Sequence, residues 1–175
     1  MSRWRTRAPL VAVAVFMLVY AVPQFAGLRL NLSTSMPRGL YRAVDGRVTT
    51  GAWVAGCLPS EIARFGLERG YLWAGSCADG VEPVLKAVVA TAGDLVDVTR
   101  AGVTVNGELL PHSVPLERDR GDRPLAAFPT LTQRLRPGEL WLHSPFEDRS
   151  WDSRYFGPVP LECVKTVVVP VMTIR

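Results

Sequence analysis

The stretch Val84-Leu85-Lys86-Ala87-Val88-Val89-Ala90 is the most informative part of this chain of 175 residues. A short, largely β-branched apolar run of this kind predicts a strand. Lys86 has apolar residues on both sides, so a simple alternation of buried and solvent-facing positions does not explain it. We expect a lysine held in dry surroundings; the alternative is an edge strand from which the ammonium group reaches water.

A serine that could use such a lysine lies upstream, in Ser33-Thr34-Ser35-Met36-Pro37-Arg38-Gly39-Leu40-Tyr41. A serine hydroxyl becomes a strong nucleophile when a neighbouring base takes its proton, and a neutral lysine can be that base. Burial can lower the lysine pKa from about 10.4 toward 8, as this role requires. Arginine stays protonated, and the other lysine, Lys165, lies in an alternating stretch that predicts a solvent-facing position. The sequence therefore predicts a Ser/Lys hydrolase with Ser35 and Lys86.

The N-terminus carries a membrane signal. Residues 8–28 are twenty-one residues without a charge, close to the roughly 20 that cross a bilayer as a helix. Arg3, Arg5 and Arg7 precede them, and positive charge beside a membrane segment stays on the cytoplasmic side. We predict a basic segment and anchor over residues 1–28 and an extracytoplasmic domain over 29–175, in the periplasm at a bacterial inner membrane. A cleaved signal peptide is the alternative.

The remaining chain reads as short strands separated by turns, which predicts one mostly β domain with one short helix. Asn106-Gly107 predicts a hairpin turn. Ser60 is the predicted N-cap of a helix over 61–69 that stops at Gly70, and the Arg-, Asp- and Pro-rich region 111–138 is a predicted surface excursion. The predicted strands cover residues 40–44, 53–58, 84–90, 95–99, 103–105, 139–143 and 166–174.

Charge and cysteines narrow the class of protein. The net charge of +4 is spread along the chain, without the basic footprint that nucleic-acid binding requires. Three cysteines fit an oxidising compartment. Cys57 and Cys77 flank the predicted helix and are the best candidate pair, worth roughly 3 kcal/mol if bonded, and Cys163 is a predicted small buried hydrophobe. The cysteine spacing matches no metal site, so we expect neither metal nor cofactor.

A third segment, Ser150-Trp151-Asp152-Ser153-Arg154-Tyr155-Phe156-Gly157, completes a pattern. Ser-x-Ser-Met follows the apolar segment at 33–36, and Lys-x-Val-Val at 86–89 is followed by Gly-Asp at 93–94. Together with Ser-x-Asp-Ser-Arg-Tyr-aromatic-Gly, these motifs resemble, in order and spacing, the type I signal peptidase (leader peptidase) family. The resemblance implies a signal-peptidase-like β domain on a single N-terminal transmembrane helix, acting as a serine endopeptidase.

The resemblance also implies a role for each matched residue. The Ser35 backbone N–H would join a side-chain hydroxyl as an oxyanion donor. The implied side-chain roles are nucleophile for Ser35, general base for Lys86, oxyanion donor for Ser33, orientation of the lysine amine for Ser150, and bracing of the loop for Asp152 and Arg154.

One detail favours a particular branch. Pro37 follows Met36 at once, and the run continues as Pro-x-Gly-x-Tyr through Gly39 and Tyr41. That form resembles the TraF-like branch, the conjugative-transfer peptidases that mature pilin. The implied partner is a precursor protein at the membrane, from which a leader peptide is cleaved. The implied second activity is cyclisation, in which an amine instead of water resolves the acyl-enzyme.

Four alternative functions can be compared with the same residues. A general type I signal peptidase for secreted proteins would differ in substrate range and not in the site. A non-catalytic subunit of a conjugation apparatus would not need Ser35, Lys86 and Ser150 together. A Ser/His/Asp triad is disfavoured, because His112 lies in a predicted turn and His143 ends a predicted strand. A self-cleaving repressor would need a DNA-binding segment in place of the anchor.

Overall fold

The structure, a computed structural model, describes residues 27–174. The predicted membrane anchor therefore lies almost entirely outside the described residues. Its last residue, Leu28, pairs with Arg42 in a β-ladder and belongs to the folded domain instead. Within residues 27–174, no helix is both long and apolar enough to cross a bilayer.

The described residues form short strands in two antiparallel sheets, with two short α-helices and one 3₁₀ turn (Leu161–Cys163). The helices are α1 (Ser60–Glu68) and α2 (Ser153–Phe156). The strands are β1 (Leu28–Asn31), β2 (Arg38–Val44), β3 (Trp53–Gly56), β4 (Val84–Ala90), β5 (Leu95–Thr99), β6 (Gly102–Val105), β7 (Glu108–Leu109), β8 (Leu131–Arg134), β9 (Glu139–His143), β10 (Val159–Pro160) and β11 (Val164–Ile174).

The larger sheet contains β4, the strand that carries Lys86. Its order is β1-β2-β11-β3-β4-β9-β10, and the smaller sheet has the order β7-β6-β5-β8. β4 lies inside the larger sheet between β3 and β9, with Val54 opposite Lys86. The edge-strand alternative for Lys86 is therefore wrong, and the prediction of a mostly β fold is confirmed.

Two apolar clusters hold these elements together. Val54, Val88 and Leu142 from three adjacent strands of the larger sheet pack with Ala63 of α1. The smaller sheet buries Val96 and its neighbours against Trp141 of β9. Burial of a Val or Leu side chain contributes about 1.5–3 kcal/mol. Because β9 supplies Leu142 to the first cluster and Trp141 to the second, it links the two sheets.

The predicted strand bounds hold where the sequence is strongly apolar. β4, β5 and β9 have the predicted limits, and the hairpin turn has the positive φ angles expected at Asn106 and Gly107. β1 was not predicted, and β8 lies inside the region predicted as an excursion. Both are short edge strands with partly exposed residues. β8 has a single apolar residue, and β1 alternates but begins at Leu28, inside the segment predicted as the anchor.

The helix start differs from the prediction. The N-cap is Pro59, without a side-chain capping bond, and the Ser60 hydroxyl donates instead to Asp79 at 2.9 Å. The predicted stop at Gly70 is confirmed by its φ of +70°, which glycine adopts at little cost.

The cysteines connect the helix to the sheet. Cys57 at the end of β3 is bonded to Cys77 beyond α1, as predicted. Cys163 is a free thiol and is half-buried rather than fully buried. The disulfide closes a segment of 20 residues in sequence separation, so the α1 insertion is held against β3.

Candidate active site

Ser35 lies in the loop between β1 and β2, and local hydrogen bonds shape that loop. The Asn31 side-chain amide lies 3.1 Å from the carbonyl oxygens of Ser33, Met36 and Pro37. The buried Tyr41 hydroxyl donates to the Pro37 carbonyl at 2.6 Å. The loop is therefore fixed from both flanking strands, although Ser35 itself stays accessible.

Lys86 approaches Ser35 from β4. Its Nζ donates to Ser35 Oγ at 2.9 Å and to the Leu85 carbonyl at 3.2 Å. Lys86 is only 5% exposed, and this burial lowers its pKa to about 8, since a charged ammonium loses its hydration there. The negative charge of Asp152 acts in the opposite direction, and Arg154 adds to the lowering. Proximity and dry surroundings are the two conditions for a lysine base.

Ser33 is the second serine at this position. Its Oγ lies 2.9 Å from Ser35 Oγ and accepts the Ser35 backbone N–H at 3.2 Å. The two predicted oxyanion donors are therefore adjacent and bonded to each other. A substrate oxygen would compete with the Ser33 hydroxyl for the Ser35 N–H.

Ser144 is a site residue that the sequence reasoning missed. It follows β9 directly, is fully buried, and its hydroxyl donates to the Ser35 carbonyl. Its backbone N–H donates to Asp152 at 3.2 Å. No motif indicated it, because its position depends on the pairing of β9 with β4, which places it beside the Ser35 loop.

Asp152 and Arg154 form a fully buried ion pair. Arg154 donates to the two Asp152 carboxylate oxygens at 2.8 and 3.0 Å. Burial would raise the pKa of Asp152, but the neighbouring His143 and the hydrogen bonds and charge of Arg154 outweigh it and hold that pKa well below its usual range. Arg154 also donates to three backbone carbonyls within 3.0 Å, those of His112, Asp148 and Ser150. The pair spans the loop before α2.

Ser150 does not make the predicted hydrogen bond to Lys86. Its buried Oγ has no hydrogen-bond partner among the described residues, because Lys86 Nζ is directed to Ser35 and Leu85 instead. Its backbone N–H donates to the Glu147 backbone carbonyl at 3.1 Å. Ser150 and Lys86 nevertheless line the same cavity.

Neither histidine contacts Ser35 within residues 27–174. His143 is fully buried, with Nε2 at 2.8 Å from the Pro111 carbonyl. Its Nδ1 lies 3.4 Å from Asp152, which is long for a hydrogen bond. His112 lies 2.8 Å from Asp148 at the surface. The geometry gives no Ser/His/Asp triad in this part of the chain.

A cavity of about 650 Å³ opens over Ser35 and Lys86. One wall comes from the Ser35 loop and β4, another from Tyr71 and Trp73 beyond α1, and a third from Ser150 and Trp151. In the described part of the chain, no group of three or more metal-ligating side chains is present. The geometry places a hydroxyl and an amine of lowered pKa side by side in the wall of this cavity.

Among the described residues, a buried lysine lies within hydrogen-bond distance of a loop serine, an arrangement that can activate a serine nucleophile. The family described as "Signal peptidase, peptidase S26" matches residues 2–172. This chain belongs to the signal peptidase S26 family.

Individual relatives agree in length. The plasmid transfer protein TraF of Escherichia coli is 40% identical over 97% of this chain and 96% of that protein. The probable conjugal transfer protein TraF of Sinorhizobium fredii is 38% identical over 98% and 94%, respectively. The solved structure of signal peptidase I from Enterococcus faecalis, 17% identical, aligns over 71% of this chain and 98% of its own, with a TM-score of 0.39.

Proposed function

We propose that this chain is a serine endopeptidase in which Ser35 is the nucleophile and Lys86 the general base. The observation that carries the proposal is the 2.9 Å contact between Lys86 Nζ and Ser35 Oγ, made by a lysine that is buried. With a pKa of about 8, a useful fraction of the amine is neutral near neutral pH. The neutral amine reverses the hydrogen bond and accepts the proton of Ser35 Oγ.

The proposed reaction has two halves. In the first, Ser35 Oγ attacks the scissile carbonyl carbon while its proton passes to Lys86 Nζ. The oxyanion is stabilised by the Ser35 N–H and the Ser33 hydroxyl, and a donor of this type contributes about 2.7–4 kcal/mol. The tetrahedral intermediate then expels the amine, which takes the proton from Lys86, and an acyl-enzyme remains.

In the second half, Lys86 takes a proton from the acceptor that attacks the acyl-enzyme. With water as acceptor the product is a carboxylic acid, and with an amine it is a new peptide bond. Ser35 regains its proton in either case, so the same two residues serve both outcomes.

The proposed substrate is the precursor of an exported protein. The relatives at about 40% identity are plasmid and conjugal transfer proteins by name. These names favour a role in conjugation, and with the Pro-x-Gly-x-Tyr run after Met36 we propose that this chain matures a conjugative pilin by removing a leader peptide, with cyclisation as the amine-acceptor outcome. The cavity of about 650 Å³ beside Ser35 is the proposed binding site for a segment of that substrate.

The proposed location is the periplasmic face of the inner membrane, with the uncharged segment 8–28 as the anchor. The folded domain supports this placement at its sheet edge. Leu30 of β1, Leu40 of β2 and Met172 of β11 lie opposite one another in one row, and Leu30 and Met172 are 68% and 70% exposed. Exposed apolar side chains in one row favour contact with a membrane or another apolar surface.

The test uses the full chain in detergent with a precursor peptide that has small residues before the scissile bond. We expect Ser35→Ala and Lys86→Ala each to lower cleavage at least about a thousandfold, because nucleophile and base act as a unit. Lys165→Ala is the matched control, since Lys165 is an exposed lysine on β11, and it should cleave at the wild-type rate. Full activity in Lys86→Ala, with wild-type folding, would overturn the proposal.

A further inference from the structure

The cavity over Ser35 has an unusual charge. Seven arginines line it against three acidic residues, Glu82, Asp119 and Glu147. Excluding Lys86, this is an excess of four positive charges around a single groove. A concave surface lined mostly by one sign of charge concentrates ligands of the opposite sign.

Three of the arginines have a carboxylate partner. Arg69 and Arg123 share Asp119, at 3.5 and 2.8 Å, so one negative charge serves two cations. Arg118 lies 3.5 Å from Asp122, whose side chain is 86% exposed, and exposed pairs of this kind contribute little. The internal acids therefore leave the groove positive.

The guanidinium groups of the other four arginines make no ion pair and no hydrogen bond within residues 27–174. They come from separate parts of the chain that meet at the groove: β1, the start of β2, the loop at Asp119 and the loop before Ser150. They are Arg29, Arg38, Arg120 and Arg149.

Arg120 is held at the rim by a structured loop. Asp119 Oδ1 accepts the backbone N–H groups of Gly121 and Arg123 at 2.8 and 3.0 Å, and Asp119 Oδ2 accepts the Tyr71 hydroxyl at 2.6 Å. These bonds tie the loop to the wall beyond α1. Loop order of this kind lowers the entropy that a ligand must overcome on binding.

We propose that the arginines of this groove, Arg120 and Arg149 above all, select a substrate segment that carries acidic side chains near the scissile bond. The guanidinium fork matches a carboxylate in two-point hydrogen bonding. Arg149 is the residue before Ser150, and the groove also contains Ser35 and Lys86, which favours a peptide ligand over a lipid. This inference rests on the proposed function, because it assigns a preference to the same active site.

The test compares three fluorogenic peptides that have identical small residues before the scissile bond and differ at two flanking positions, which hold Glu, Gln or Lys. For the wild-type chain in detergent we expect kcat/KM to be at least about tenfold higher for the Glu peptide than for the Gln peptide. The Lys peptide should be the poorest substrate. The Glu preference should shrink in high salt, since exposed charges are screened.

Variants locate the effect. The double variant Arg120→Gln/Arg149→Gln should reduce the Glu-over-Gln ratio to less than about threefold. Arg47→Gln is the matched control, because Arg47 is an exposed arginine in the described chain outside the groove, and it should keep the wild-type ratio. An equal loss of preference in Arg47→Gln would mean that net charge, and not the groove, is responsible, and would overturn the inference.

The two proposals fail in different ways. Equal cleavage of the Glu and Gln peptides overturns the acidic preference and leaves the peptidase intact. If none of the peptides is cleaved, the proposed peptidase activity is contradicted. Fluorescence anisotropy with Ser35→Ala then tests the acidic preference separately, by whether the Glu peptide binds more tightly than the Gln peptide. If the double variant loses binding to phosphatidylglycerol vesicles while keeping its peptide preference, the arginines face lipid and the inference is wrong.

Discussion

Two buried cations in this domain have opposite fates. Lys86 is bonded to a hydroxyl and a carbonyl, and its pKa falls to about 8 because burial is the largest influence. Burial also acts to lower the pKa of Arg154, but the hydrogen bonds and charge of Asp152 outweigh it and raise that pKa. The difference is the partner. The Asp152 carboxylate contacts Arg154 directly and keeps it protonated, whereas Lys86 donates to a hydroxyl and a carbonyl, so burial lowers its pKa.

The same difference separates the proposed reactive site from a structural ion pair. Arg154 and Asp152 satisfy each other and several loop carbonyls, whereas the site around Lys86 leaves a buried hydroxyl, that of Ser150, without a partner among the described residues. A buried polar group without a bond costs about 1–3 kcal/mol. We therefore expect changes near Arg154 to lower stability first, and changes near Lys86 to lower activity first.

The largest expected effect on stability is that of Arg154→Met. It leaves the buried Asp152 carboxylate and three carbonyls without their donor, and loss of one partner of a buried pair costs about 3–5 kcal/mol. Urea unfolding of the full chain in detergent measures the change.

The double variant Asp152→Asn/Arg154→Met is the control for this prediction. It removes the buried charge, so it should recover part of the loss but not the part due to the carbonyls. A loss below about 1 kcal/mol in the single variant would mean that the pair does not brace the loop.

Lys86→Met tests the other buried cation. Here we expect the substitution to raise stability below pH 8, whereas Arg154→Met lowers it. The folded-state pKa of about 8 is below the ordinary 10.5, so the unfolded chain binds more protons between these two values. The wild-type chain therefore gains stability as pH rises through that window, and at lower pH it carries a penalty of about 3 kcal/mol that the methionine variant lacks.

The measurement is the difference in unfolding free energy between wild type and Lys86→Met at pH 7 and at pH 10.5. Other groups that lose protons at high pH are common to both chains, so their contribution to the difference cancels. A constant difference across the range would show that the lysine keeps its ordinary pKa in the folded chain.

Much of this arrangement could be predicted from the sequence, for identifiable reasons. The apolar run of β4 and the scarcity of lysine gave Lys86, and the motif around Ser35 gave its partner. Ser144 could not be found in this way, because a lone serine after a strand becomes part of the site only through the pairing of β9 with β4. The Ser60 cap failed because Asp79, distant in sequence, takes its hydroxyl.

Ser150→Ala has the smallest expected effect and separates orientation from stability. Removing a buried hydroxyl that has no partner in the described chain should leave stability unchanged or raise it by up to about 1 kcal/mol. If Ser150 orients the lysine amine during the reaction, cleavage should fall about tenfold.

Ser153→Ala is the matched control, since the Ser153 hydroxyl accepts the Leu142 N–H at 3.0 Å. It should cost about 1 kcal/mol of stability and leave the cleavage rate of the folded chain near that of wild type. Unchanged cleavage in Ser150→Ala would remove Ser150 from the reaction.

The role of Lys86 as the general base is tested most sharply by the pH dependence of kcat/KM for peptide cleavage by the full chain. Because the base must be neutral, the rate should rise about tenfold per pH unit at low pH and level off above a midpoint of about 8, the pKa of Lys86 in the folded chain. A midpoint near 6.5, the ordinary pKa of histidine, would contradict a lysine base.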